Sequence, residues 1–169
     1  MIESVGMITI RHAEAAEDME IIRRLFREYE AWTKTDLCFQ GFEEELATLP
    51  GKYARPGGRL LIAEYHGSTA GCVALRPLQD EICEMKRLFV RENFRGSGIG
   101  RYLITEIIEE AKKSGYKKIR LDSIASKMQA AIAIYRDFGF YEIPPYYENP
   151  LPDVIYMEKS LIVNTITAK

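Results

Sequence analysis

The stretch Val90-Arg91-Glu92-Asn93-Phe94-Arg95-Gly96-Ser97-Gly98-Ile99-Gly100 constrains the fold more than any other feature of this sequence. Before it, Ile82 to Val90 reads as a strand. After it, Ile99, Leu103, Ile104, Ile107, Ile108 and Ala111 predict a strongly amphipathic helix ending near Ser114-Gly115. A strand that turns through glycines into a helix presents first-turn N–H groups with no partner inside the helix. Glycines at 96, 98 and 100 let an oxygen-rich ligand approach that backbone with no Cβ in the way. The helix dipole favours an anion here, and Arg95 and Arg101 add positive charge. A pyrophosphate is the natural guest; the competing reading is a purely structural turn.

The remaining segments frame a sheet. Met7 to Arg11 reads as a short strand. From Asp18 onward, Ile21, Ile22, Leu25, Phe26 and Tyr29 line one helix face. Phe42 to Leu49 predicts a shorter helix stopped by Pro50-Gly51, and Lys52 to Gly58 is loop. The period then changes. Arg59 to Tyr65 and Ala70 to Leu75 read as antiparallel strands around the turn His66-Gly67-Ser68. After the long helix come a strand over Ile119 to Ile124, a helix over Met128 to Phe138 stopped at Gly139, and a last strand over Val154 to Leu161. This order describes an α/β sheet with antiparallel hairpins first and one crossover unit later.

A chain of 169 residues fits one domain spanning 1–169, with its core over roughly 8–161. The net charge of -2 argues against a duplex nucleic-acid partner, which calls for a basic face. Cys38, Cys72 and Cys83 form no C-x-x-C pair and no cluster with His12 or His66, so no zinc site, other metal site or disulfide framework is expected. The two histidines have no evident partners and receive no role. The opening residues Met1 to Gly6 lack the basic start and apolar stretch of a signal peptide. No apolar run approaches the ~18 residues that cross a bilayer. These features predict a soluble cytoplasmic protein.

Two phosphate-binding patterns fail on spacing. Gly100 is followed by Arg101-Tyr102, where a P-loop needs lysine and then serine or threonine. The glycines run G-x-G-x-G where a dinucleotide fold needs G-x-G-x-x-G, although Asp122 ends the next strand where a ribose contact would lie. The spacing Arg95-x-x-Gly98-x-Gly100 instead resembles the (Q/R)-x-x-G-x-(G/A) signature of the GNAT superfamily of N-acetyltransferases. The strand Glu84-Met85-Lys86-Arg87-Leu88-Phe89-Val90 resembles that family's strand into the acetyl-CoA loop. Ala131 to Phe140 is similar to its helix with a tyrosine and a terminal Gly-Phe. The chain departs from the pattern at Met128, where many members carry an asparagine.

The resemblance implies a mixed, mostly antiparallel twisted sheet of about six to seven strands flanked by about four helices, with acetyl-CoA entering between two splayed parallel strands. It implies that the backbone of Arg95, Gly96, Ser97, Gly98, Ile99 and Gly100, with Arg101, holds the pyrophosphate. Backbone groups of Leu88, Phe89 and Val90 would pair with the pantetheine arm as an added strand would. Tyr135 is expected to protonate the departing sulfur; without the resemblance it reads as a core tyrosine. Glu84 matches the position that often supplies the base, and its strand neighbours Ile82 and Leu88 predict an apolar setting for it. The alternatives are a plain partner for Lys86, with Glu81, Glu148 or water as base. The proline-rich Ile143 to Pro152 segment offers Tyr146, Tyr147 and Glu148 as an acceptor-site wall, or serves only as a rigid hairpin connection. Tyr29 is a weaker acceptor candidate. The expected reaction is direct acetyl transfer, in a ternary complex, from acetyl-CoA to a primary amine of a small molecule or peptide. The other reading is a silent acyl-CoA-binding sensor or assembly module. A two-fold homodimer is the commonest assembly for such chains.

Overall fold

The computed structural model describes residues 7–38 and 41–162; the opening Met1 to Gly6 lies outside the described residues. Strand β1 (Ile8–His12) leads into helix α1 (Ala16–Thr33) and the short α2 (Phe42–Ala47). Strands β2 (Arg59–Tyr65), β3 (Ser68–Gln79) and β4 (Ile82–Val90) form a meander. Then come α3 (Ile99–Lys113), β5 (Lys118–Ile124), α4 (Gln129–Asp137), β6 (Tyr141–Ile143) and β7 (Val154–Ser160). The seven strands make one open sheet in the order β1-β2-β3-β4-β5-β7-β6. Every neighbouring pair is antiparallel except β4 with β5.

The helices cover both faces, so the central strands are buried on both sides and read as nearly continuous apolar runs. Along β2, Leu60 and Ile62 pack with Ile22, Leu25 and Phe26 of α1 and with Phe42 and Leu46 of α2. The alternate residues Leu61 and Ala63 pack beneath Leu103, Ile104 and Ile107 of α3. Phe26, Phe42 and Ile104 are fully buried, each contributing roughly 1.5–3 kcal/mol by leaving water. Helix α1 starts two residues before Asp18 because that carboxylate reaches back, accepting the N–H groups of Glu14 and Ala15 at 3.1 Å each.

Three differences from the sequence reading have local causes. Strand β3 runs on through Pro77 to Gln79, a register shift between those two residues accommodating the missing N–H. Residues Gly51–Tyr53 form a 3-10 turn where the sequence predicts the start of a loop. His12 does have partners: its Nε2 lies 2.7 Å from Glu110 and its Nδ1 3.1 Å from Arg55. Among the described residues, no helix is long and apolar enough to cross a membrane.

Candidate active site

The parallel pair is short. β4 and β5 bond only at Ile82–Lys118, Cys83–Ile119 and Glu84–Arg120. Beyond Glu84 the strands separate, and a β-bulge accompanies the separation. The β3–β4 register shifts between Cys72 and Ala74, leaving Arg87 and Leu88 opposite Val73, with Arg87 at φ 60°. A bulge adds a residue to one strand and bends it. The bulge also carries the Arg87 side chain to the α1–α2 face. There Nε and Nη2 donate to Glu45 at 3.0 and 3.1 Å, and the guanidinium lies 5.2 Å from the Phe42 ring centre. A buried cation held on both sides by a carboxylate and rings resists displacement, because breaking such a pair would strand a desolvated charge.

The gap is a narrow cleft of about 70 Å³, walled by Leu88 of β4, Leu121 and Asp122 of β5, Tyr29 of α1 and Tyr135 of α4. The beginning of α4 packs its Ile132 into the core, and Tyr135 lies on the same face one turn later. The Tyr135 side chain is buried against the Phe140 ring, 5.8 Å away, and its hydroxyl has no hydrogen-bond partner among the described residues. Burial above all, with the phenol of Tyr29 and the carboxylate of Asp122 adding to it, pushes the Tyr135 phenol well above its usual pKa. It is therefore a protonated donor facing an open cleft.

Beside the cleft lies a second cavity of about 270 Å³, and Lys86 stands in the wall of both. Here the structure corrects the apolar setting predicted for Glu84. The carboxylate is fully buried, but β3 places Arg76 directly opposite in register, and its Nε donates to Oε1 at 2.7 Å. The other oxygen, Oε2, accepts the Tyr146 hydroxyl at 2.6 Å, and Lys86 Nζ lies 3.9 Å from Oε1. Tyr146, Tyr147 and Glu148 all line this second cavity, carried there by the proline-rich connection between β6 and β7. That segment is thus both a hairpin connection and a cavity wall. Tyr29 is not with them; it lines the first cleft and packs edge-on against Phe89, 6.2 Å away.

At the far end of β4 the glycine turn has the geometry an anion needs. Gly96 and Gly98 have φ 84° and 88°, and Gly98 caps α3. The N–H groups of Gly96, Ser97 and Gly98 donate to no protein acceptor among the described residues, and those of Ile99, Gly100 and Arg101 belong to the unpaired first turn. Side chains around them are occupied otherwise. Arg95 folds back to donate through Nε to the Val90 carbonyl at 2.9 Å, with its guanidinium 4.8 Å from the Trp32 ring centre. Ser97 Oγ donates to the Phe94 carbonyl, and Ile99 is buried in the core. Arg101 pairs with Asp137 at 2.8 Å, an exposed contact of little strength that leaves it free to swing. Leu88 lines the cleft, Phe89 is buried and Val90 half-buried; past Glu84 the β5-facing edge of this strand has no strand partner.

Several site residues escaped the sequence reading. Arg76 becomes visible only through the β3–β4 register. Lys86 carried a signal, two residues from Glu84 on the same strand, but was read only as its partner. The sequence pattern offers Asp122 only as a ribose contact. In the structure its Oδ2 accepts from the Tyr147 hydroxyl and from Asn149 Nδ2, the latter at 3.1 Å, while Oδ1 has no hydrogen-bond partner among the described residues.

Comparison with known proteins bears directly on this geometry. The Acetyltransferase (GNAT) family profile matches residues 19–140. An uncharacterized N-acetyltransferase of Schizosaccharomyces pombe is 40% identical over 152 residues, covering 89% of this chain and 93% of the relative. An acetyltransferase of GNAT family from Staphylococcus aureus Mu50 superposes with a TM-score of 0.75 at 23% identity, covering 92% of this chain and 99% of that one. The PaiA N-acetyltransferase of Thermoplasma acidophilum, solved in complex with coenzyme A, superposes with a TM-score of 0.69 at 21% identity, covering 90% and 98%. The open seven-stranded sheet with four helices is the acyl-CoA N-acyltransferase fold. The chain belongs to the GNAT family and is an acetyltransferase.

Proposed function

We propose that this enzyme moves the acetyl group of acetyl-CoA directly to a primary amine of a small molecule or peptide in a ternary complex. The observation that carries the reading is the separation of β4 from β5 past Glu84, which leaves a strand edge without a strand partner beside the Tyr135 phenol; the amides of residues 96–101, without acceptors among the described residues, follow the end of the same strand. A pyrophosphate would rest on the amides of residues 96–101, with Arg95 and Arg101 turning toward it. The pantetheine arm would run along the free edge of Leu88, Phe89 and Val90, setting the thioester beside Tyr135. The Thermoplasma fold neighbour was solved in complex with coenzyme A, which supports coenzyme A as a ligand for this fold.

The chemistry follows from the groups in reach. The amine nitrogen attacks the thioester carbonyl carbon and the C–S bond breaks. The Tyr135 hydroxyl gives its proton to the departing sulfur. Burial that raises the phenol's pKa penalises the buried thiolate too, so the proton transfer remains balanced. The amine's proton passes to the Tyr146 hydroxyl as that hydroxyl hands its own to Glu84, a fully buried carboxylate in the cavity wall. Direct attack also suits the cysteines. Burial pushes the Cys83 thiol up to about 12 and that of Cys72 higher, so neither is a ready nucleophile to carry the acetyl group.

The test is calorimetric titration of acetyl-CoA into wild type and Gly98→Val. A side chain at φ 88° strains the cap and crowds the anion's approach, so affinity should fall more than about tenfold. A folded Gly98→Val protein with wild-type affinity would remove the pyrophosphate from this loop.

A further inference from the structure

Lys86 has no place in the mechanism above, yet its buried ammonium is poorly satisfied. Its side chain is 6% exposed, it makes no hydrogen bond among the described residues, and its one ion-pair partner, Glu84, lies 3.9 Å away. Glu84 is spoken for by Arg76 and Tyr146, and a second, half-buried carboxylate of this cavity, Glu45, is held by Arg87 and the Tyr53 hydroxyl. The remaining anion, Glu148, is exposed and has no ion-pair partner among the described residues. The three carboxylates equal Arg76, Arg87 and Lys86 in number, but the one left for Lys86, Glu148, is exposed and makes no ion pair with it, so the buried ammonium has no hydrogen-bonded anion among the described residues. Desolvation above all lowers the pKa of Lys86, with Arg87 and Arg76 adding to the fall and Glu84 and Asp122 opposing it. Burying a charge without hydrogen bonds is costly, and a bound anion relieves that cost.

The position of Lys86 says which anion. It stands in the wall shared by the acceptor cavity and the cleft that receives the thioester. Across the cleft is Asp122, whose Oδ1 is free; the two charges make no ion pair with each other. A guest carrying a carboxylate and an ammonium on adjacent carbons presents opposite charges to both walls at once.

Building on the acetyl-transfer reading, we propose that the acceptor is an α-amino acid whose carboxylate is seated by the Lys86 ammonium. Its amine then lies between Asp122 and the Tyr146 hydroxyl that takes its proton, within reach of the thioester, and its side chain extends into the cavity toward Arg76 and Leu78. A simple alkylamine or polyamine leaves Lys86 unpaired and binds poorly. An amine-binding site with only carboxylates in its walls would favour the opposite order.

The experiment compares matched pairs, each α-amino acid against the amine lacking its carboxylate, phenylalanine with phenethylamine and histidine with histamine among them. Two readouts are taken: kcat/KM with acetyl-CoA, and calorimetric affinity of the N-acetyl products for the enzyme in the presence of CoA. In wild type the amino acid, and its N-acetyl product, should be preferred by at least about tenfold in the pairs that bind, as expected for a buried charged contact. Lys86→Met should collapse that ratio toward one, and Lys86→Arg should restore most of it. A wild-type preference for the decarboxylated amine, or a fall in kcat alone and equally for both members of each pair in Lys86→Met, overturns the proposal; the latter assigns Lys86 to the thioester oxyanion. If no amine is acetylated but N-acetyl amino acids bind through Lys86, the acetyl-transfer reading fails while the carboxylate seat stands. Absence of both turnover and product binding sinks the seat as well.

Discussion

Tyr135→Phe is expected to lower kcat by about ten- to a thousandfold while acetyl-CoA affinity stays within about twofold of wild type. The change removes one hydroxyl that has no hydrogen-bond partner among the described residues, so folding has little to lose from it. A proton donor to the leaving sulfur acts only as the C–S bond breaks, and its loss therefore falls on kcat and spares ground-state binding. Burial keeps the phenol protonated across the working pH range, so the wild-type rate should show no limb from its ionisation. Steady-state thiol release with the best amine of the panel, together with calorimetry of acetyl-CoA, separates the two parameters. A kcat within twofold of wild type returns Tyr135 to a packing role.

Glu84→Gln should lower the rate at neutral pH by roughly a hundredfold or more, because the amide keeps the shape and cannot accept a proton. The loss should shrink as pH rises toward the pKa of the acceptor amine, since a growing share of substrate then arrives neutral. Tyr146→Phe cuts the same path one step earlier and should reproduce both the loss and its pH dependence. These two variants should not add when combined, since they interrupt a single relay. If Glu84 serves only to hold Arg76 and to balance charge, Glu84→Gln raises KM, leaves the pH profile unchanged and adds to Tyr146→Phe. Such an outcome passes the proton to Glu148, Glu81 or solvent.

The parts of the site that were legible in the sequence are those written in local patterns. Glycines at 96 and 98 announce positive φ, and the stripe from Ile99 to Ala111 announces the helix that follows. Tyr135 stands out because its helix ends at Gly139 with φ 92°. The missing parts depend on pairing across the chain. Arg76 meets Glu84 through a hairpin register that includes a shift after Pro77, which no local periodicity encodes. The bulge depends on an arginine at φ 60°, a conformation that sequence assigns to glycine or asparagine; tertiary contacts with Glu45, Phe42 and Tyr29 hold it there. The apolar setting predicted for Glu84 followed from strand alternation alone, which reports neighbours along β4 and is silent about β3 and the β6–β7 connection. Strand β6 has only three residues, too few to show a period before the prolines begin.

In the proposed reaction an amine and acetyl-CoA react directly while both occupy the groove between β4 and β5. Initial rates measured over a grid of acetyl-CoA and acceptor concentrations test this most directly, joined to mass spectrometry of enzyme incubated with acetyl-CoA alone. Direct transfer gives intersecting double-reciprocal lines and a protein mass unchanged by acetyl-CoA. Parallel lines, together with an enzyme that gains an acetyl group and passes it to the acceptor in a second step, would contradict it.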